Sequence, residues 1–423
     1  MKNLVVCIVI LALGVFGPQQ DTQYEPAWSL GLLLLLAFVG QQAARALRLP
    51  DVVGWVGAGL LAGPSLLEAT APARFLSLRL IYAAAALWVG VYVGSRVDLA
   101  GRRLTLRLPV TSGLVSLAVF ATTGLTLATA TDLPGWHAAF YAALFSLWGP
   151  FAISSVDRES GDTLFLGTLG TGFSLLLLTA VLLFLEVQNH ASPASAGLAA
   201  RIWLSLAAGA AGGEILWRLR LFAAPRPTFL AALGIVLLLG AMLVTGSGLM
   251  ALLSGLAAGL VVSAHAGQRE ALEQTFDTLR PMVFPLFFAL IGAWLDTRGL
   301  VTAPPLLWQL LLISTVIILL FRGFAPSLWP MLAIAPTRTP RVGWLLLPKG
   351  ALLFDLTFTS DAGLAHLLTG ASGELLRQVA MADILLFLLP FSAIAALVWR
   401  FTPQSTTPSA ADPEPENASN SSA

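Results

Sequence analysis

Few residues in this chain have side chains suited to chemistry, because 57% of the 423 residues are apolar and only 11% are charged. Lys349 stands out among the charged ones. It is one of two lysines against 21 arginines, the other being Lys2, and it sits within the apolar run Trp344-Leu-Leu-Leu-Pro-Lys-Gly-Ala-Leu-Leu-Phe354. An ionisable group inside a membrane-length segment is costly to bury, so its presence points to a cavity the protein uses. Pro348 and Gly350 flank it, and a helix interrupted there frees carbonyls and amides that can bind ions. Three roles are open to the amine. It takes up and releases a proton, it pairs with a carbonyl, Ser146 or Ser174, or it is a fixed cation on the dipole of the broken helix.

Two acids share this part of the chain, Asp355 and Asp383. At the helical rise, Lys349 lies roughly 10 Å and Asp355 roughly 20 Å from the inner edge of their span, and Asp383 lies roughly 6 Å below the outer edge of the last span. The two carboxylates therefore come within reach of each other in the outer half. They serve either as proton or ion carriers or as caps lining a wet vestibule. Glu186 and Glu214 fall at span ends and read as interfacial. The four histidines, His137, His190, His265 and His366, also fall at span ends or loops, and Cys7 is the only cysteine. No metal site and no cofactor is expected from this set. No Gly-x-x-x-x-Gly-Lys-Ser/Thr loop occurs, so any pumping would draw on an ion gradient rather than a nucleotide.

The elements that must position these groups are membrane spans. Mean hydropathy is +0.84, and apolar stretches of the length that a ~30 Å hydrocarbon layer requires recur throughout. The pattern predicts an all-α polytopic membrane protein with thirteen core helices plus an N-terminal hydrophobic segment. That segment, Leu4–Phe16 within residues 1–26, is an extra helix or a signal peptide. The transporter domain covers 27–401, with a first repeat at about 27–186, a linker helix at about 196–216 and a second repeat at about 228–400. The tail 402–423 is too polar and proline-rich to bury a core. Placing Lys2 inside puts 17 basic residues on inner connections, Arg322 among them, and five on outer ones. This satisfies the positive-inside rule and sets both ends in the cytoplasm. Because the basic residues simply follow topology, nucleic acid is not an expected partner.

The halves echo each other. Gly94-Ser-Arg-Val-Asp98 resembles Gly292-Ala-Trp-Leu-Asp296 at an offset of 198, and Pro150 in Ser146-Leu-Trp-Gly-Pro150 stands 198 residues before Pro348. Gly59 and Gly63 have counterparts in Gly255 and Gly259. Asp98 ends its span inside and Asp296 outside, so the repeats are inverted. Inverted repeats place a binding site at the midplane where paired discontinuous helices cross. The expected breaks lie near Gly149-Pro150 and Pro348-Lys349-Gly350.

The stretch Arg48-Leu-Pro-Asp-Val-Val-Gly-Trp-Val-Gly-Ala-Gly-Leu-Leu-Ala-Gly-Pro-Ser-Leu66 closely resembles the second core helix of the monovalent cation/proton antiporter superfamily, especially its sodium/proton and potassium-efflux branch. Val89–Leu99, Gly255–Ser263, Pro285–Asp296 and Pro348-Lys-Gly350 are similar to further signatures of that family. The resemblance spans about 27–400. It implies an inverted-repeat sodium/proton antiporter-like fold with two crossed discontinuous helices, a dimerisation face and elevator-like alternating access. The family's acidic motifs are absent. Its Thr-Asp-Pro or Thr-Ser-Pro slot reads Trp148-Gly-Pro150, and the helix that carries its ion-binding carboxylate reads Gly170-Thr-Gly-Phe-Ser-Leu175. The resemblance therefore implies a homodimeric secondary transporter in a bacterial inner membrane, exchanging a monovalent cation for a proton without the usual acids. Movement of an anion or neutral solute, and a transport-inactive paralogue with a sensor or assembly role, are the alternatives. The expected core comprises Lys349, Pro348, Gly350, Gly149, Pro150, Ser146 and Ser174, with Lys349, Asp355 and Asp383 as candidate carriers.

Overall fold

The computed structural model describes residues 25–63, 72–97, 107–131, 133–149, 161–187, 194–218, 226–265, 269–295, 297–324, 351–358 and 371–385, with positions 390 and 394. The N-terminal segment, Asp98, Pro150, Asp296, Pro348, Lys349, Gly350 and the tail lie outside the described residues. Fourteen α-helices and no strand occur among the described residues. They are α1 Glu25–Ala46, α2 Asp51–Ala62, α3 Pro72–Ser95, α4 Arg107–Ala130, α5 Gly135–Phe145, α6 Gly161–Val187, α7 Ala194–Arg218, α8 Arg226–Ser247, α9 Ala251–Ala264, α10 Arg269–Trp294, α11 Arg298–Val301, α12 Pro305–Ile318, α13 Ala351–Phe358 and α14 Ala371–Asp383. A π-helical turn, Leu319–Phe324, continues α12. Six helices are long and apolar enough to cross a bilayer, and α2, α9 and Ala232–Ser247 of α8 are shorter apolar ones.

Packing sorts the helices into two groups. In one, α9 lies on α3 and α7, α10 on α2 and α3, α1 on α2, and α8 on α3. In the other, α4 packs on α5, α6 and α12, and α14 packs on α11, α12 and α13. Each group takes helices from both halves of the chain. Two contacts join the groups most closely, α6 with its neighbour α7, and α9 with α13.

The first group is held by backbones in direct contact. A methyl on Gly59 of α2 would overlap the Ala289 carbonyl of α10, and one on Gly292 of α10 would overlap Val56 of α2. Gly255 and Gly259 of α9 meet the Leu87 and Val91 carbonyls of α3 in the same manner. The glycines that mark the sequence repeat thus make repeat-related seams, α2 on α10 and α9 on α3. Such close approach of small residues replaces the hydrophobic drive that lipid cannot supply between helices. Aromatic rings fill the space alongside, with Trp88 stacked on Tyr92 at 5.3 Å and Trp55 on Phe288 at 6.0 Å.

The α1–α2 hairpin shows local chemistry setting a turn. Arg48 takes a left-handed conformation (φ 61°), and the Leu49 N–H reaches back to the Ala44 carbonyl at 2.7 Å. This is a helix-ending motif in which glycine is the usual residue. Asp51 then accepts from Arg45 Nε at 2.9 Å, Arg45 Nη2 at 2.7 Å and Gln41 Nε2 at 2.6 Å, clamping the two helices.

Candidate functional site

The second group converges on the end of α5. The helix stops at Phe145, and Leu147 N–H bonds the Leu144 carbonyl at 3.1 Å in a tightened last turn. Ser146, Leu147, Trp148 and Gly149 follow without helical structure and are buried. Carbonyls released by a helix end inside a membrane domain must find partners or coordinate an ion.

Here the partners are side chains. Arg322, fully buried in the π-helical turn after α12, donates from Nη1 to the Leu147 carbonyl at 2.8 Å and from Nη2 to the Ser146 carbonyl. Its guanidinium lies 4.8 Å from the centre of the Trp148 ring, within range of a cation–π contact. Ser174 Oγ on α6 donates to the Ser146 carbonyl at 2.5 Å. The Trp148 indole N–H donates to Ser116 Oγ on α4 at 3.0 Å, and its ring covers Gly170, where any side chain would collide with it. Thr171 Oγ1 bonds Gly167 O at 2.8 Å, with the Trp148 carbonyl at 3.4 Å. Serine and threonine on two helices, α4 and α6, one tryptophan and one arginine thus close around the end of α5.

The position of Arg322 corrects its assignment to an inner connection. The residue falls inside the apolar stretch Pro305–Gly323, and the π turn re-aims it toward α5. Single π turns inside helices recur at functional sites for this reason. Removing Arg322 from the inner count still leaves a clear inner excess, so the charge asymmetry stands.

The two acids go to different partners. Asp355 on α13 is fully buried, accepting from the Leu252 backbone N–H at the start of α9 at 3.1 Å and from Tyr82 Oη on α3 at 3.4 Å. Asp383, at the end of α14, is also fully buried and lies within electrostatic reach of Arg322. Ser146 and Ser174 are brought together, and Gly149 is buried beside them. Pro150, Pro348, Lys349 and Gly350 are outside the described residues. Glu214 pairs with Arg218 at 2.8 Å on an exposed helix face. Arg322, Trp148, Ser116, Thr171 and Tyr82 were not singled out by sequence reasoning as members of the site. Along the chain Arg322 reads as the edge of its span, so no local signal marked it as a site residue.

The described residues form a helical membrane domain with a buried helix end and a buried arginine beside it. The chain belongs to the sodium/hydrogen exchanger family, whose transmembrane model matches residues 31–400. Its fold is similar to that of the sodium proton antiporter MjNhaP1 from Methanocaldococcus jannaschii. One structure of that protein, at pH 8, shares 14% identity with a TM-score of 0.55, covering 89% of this chain and 96% of the other. A second, from electron microscopy, shares 16% identity with a TM-score of 0.60, covering 91% and 100%. No curated protein matches the sequence.

Proposed function

We propose that this chain is a secondary transporter that exchanges a monovalent cation for a proton by alternating access, as a homodimer in a bacterial inner membrane with its C-terminus in the cytoplasm. Family membership supports the reaction class. The observation that carries the reading is the buried Arg322 on the α5 carbonyls with Asp383 within electrostatic reach. The α6 helix has no acid between Thr163 and Leu185, so the coupling carboxylate has moved to α14. A proton and a cation each neutralise the same carboxylate, and a nearby guanidinium favours its ionised form, which weakens the hold on both alike. Competition for one group makes the movement an exchange. Lys349 is the second basic group expected in this core.

Reconstituted protein should collapse an imposed pH gradient on addition of sodium or potassium. Asp383→Asn should abolish this, while Glu214→Gln, on the exposed face, should retain it. Cation-driven proton flux in a stable Asp383→Asn protein would remove Asp383 from the mechanism. Anion movement is the second reading, favoured by a guanidinium at the centre of a group whose α6 lacks acids between Thr163 and Leu185. Chloride-dependent, cation-independent flux would select it.

A further inference from the structure

Asp355 sits where α13 of the second group meets α9 of the first, a contact away from the α6–α7 connection. Its own helix, α13, packs on α14 within the second group, yet its carboxylate bonds Tyr82 on α3 and the Leu252 N–H on α9, which belong to the first. The neighbouring Phe354 is wedged into the same surface. Its ring meets Tyr82 edge-on at 5.6 Å and stacks on Trp294 of α10 at 5.6 Å. Tyr82 and Trp294 pack on each other at 5.0 Å. A carboxylate on the Leu252 amide, at the start of α9, is held by that N–H and by the helix dipole. An aromatic plug and a charge-assisted cap therefore tie one group to the other across a single seam.

The contrast with the rest of the first group is informative. There, glycine seams lock backbone to backbone over several turns, and nothing short of unfolding separates them. At α13 the attachment is two side chains, which can detach and re-form as units. Alternating access requires some contact of this kind between moving and fixed parts.

We propose that Asp355 and Phe354 form a latch that seals the seam between the two groups in this conformation and must release in every transport cycle. Asp355 is thereby a positioning residue, acting through the placement of α13 rather than on the transported ion. The inference rests on the alternating-access reading above.

The test is a reversible tether. In a Cys7→Ser background, Leu252→Cys and Asp355→Cys place two thiols across the seam. Oxidation to the disulfide should lower cation–proton exchange by about tenfold or more, and reduction should restore it, because a conformational step gates turnover. A fully cross-linked protein that exchanges at the reduced rate would overturn the latch and leave Asp355 as a cap on α9. Failure of the wild-type protein to exchange would instead sink the transport reading. The latch is then read from hydrogen exchange, comparing wild type with Asp355→Ala. Release of the seam speeds amide exchange in both α13 and α3, while loss of a cap alone speeds it only at the start of α9. The second pattern overturns the latch.

Discussion

The α9–α3 seam and the α5–α6 contact are both built on glycine, and they use it in opposite ways. At Gly255 and Gly259 the missing side chain lets one backbone lie on another, so the helices have almost no freedom to slide. At Gly170 the missing side chain makes room for the Trp148 ring, and that ring is in turn tied to Ser116 and covered by Arg322. The first contact contains nothing that can be rearranged at low cost. The second is a set of side chains, each of which can rotate, lose a hydrogen bond or change partner. Similar local chemistry gives a rigid frame in one group and an adjustable polar centre in the other.

Truncating the arginine should have the largest effect on this contrast. Arg322→Ala leaves the Ser146 and Leu147 carbonyls to adjust without their cation, a loss expected to cost about 1–3 kcal/mol for each buried group left unsatisfied. Thermal unfolding in detergent measures it. Arg322→Lys should recover only part, since an ammonium lacks the planar fork that reaches two carbonyls. An Arg322→Ala protein as stable as wild type would mean that the α5 end satisfies itself by other means.

The frame is tested by filling a seam. Gly255→Leu forces α9 away from α3, with an expected loss of about 1–3 kcal/mol from overpacking, read as a lowered unfolding temperature. Gly172→Ala, on the opposite behaviour of glycine, meets nothing within reach and should be neutral or stabilising by up to about 1 kcal/mol. Equal effects of the two would erase the distinction between seam and open glycines.

The smallest effect sharpens the polar centre. Trp148→Phe keeps a ring over Gly170 but removes the indole N–H that Ser116 accepts, for an expected loss of about 1 kcal/mol. A double-mutant cycle with Ser116→Ala isolates that bond, and a coupling energy near zero would show that the ring alone places the tryptophan.

Much of this was legible from one sequence. The long apolar helices follow from segment length and hydropathy, since a bilayer sets how many residues a crossing needs. The repeat was visible because close backbone contact needs glycine, and Gly59, Gly63, Gly255, Gly259 and Gly292 stand where the seams form. The end of α5 ahead of Pro150 follows from local chemistry as well, proline being a poor continuation of a helix.

The partners of the charges were decided only by tertiary structure. Arg322 follows a long apolar run, and along the chain an arginine there reads as the edge of a span. Packing of α12 on α4 and α5, with the π turn between, turns it into a buried cation. Asp355 and Asp383 look equivalent in sequence, two acids in neighbouring apolar segments. One bonds α9 and α3, and the other is buried at the end of α14 on the side of Arg322's group. Hydropathy and backbone preference are properties of a residue and its near neighbours, so the chain itself carries them. Whether a buried charge is held, and by what, depends on groups distant in the sequence, such as Leu252 and Tyr82 at 103 and 273 residues from Asp355, and these meet only when the helices pack.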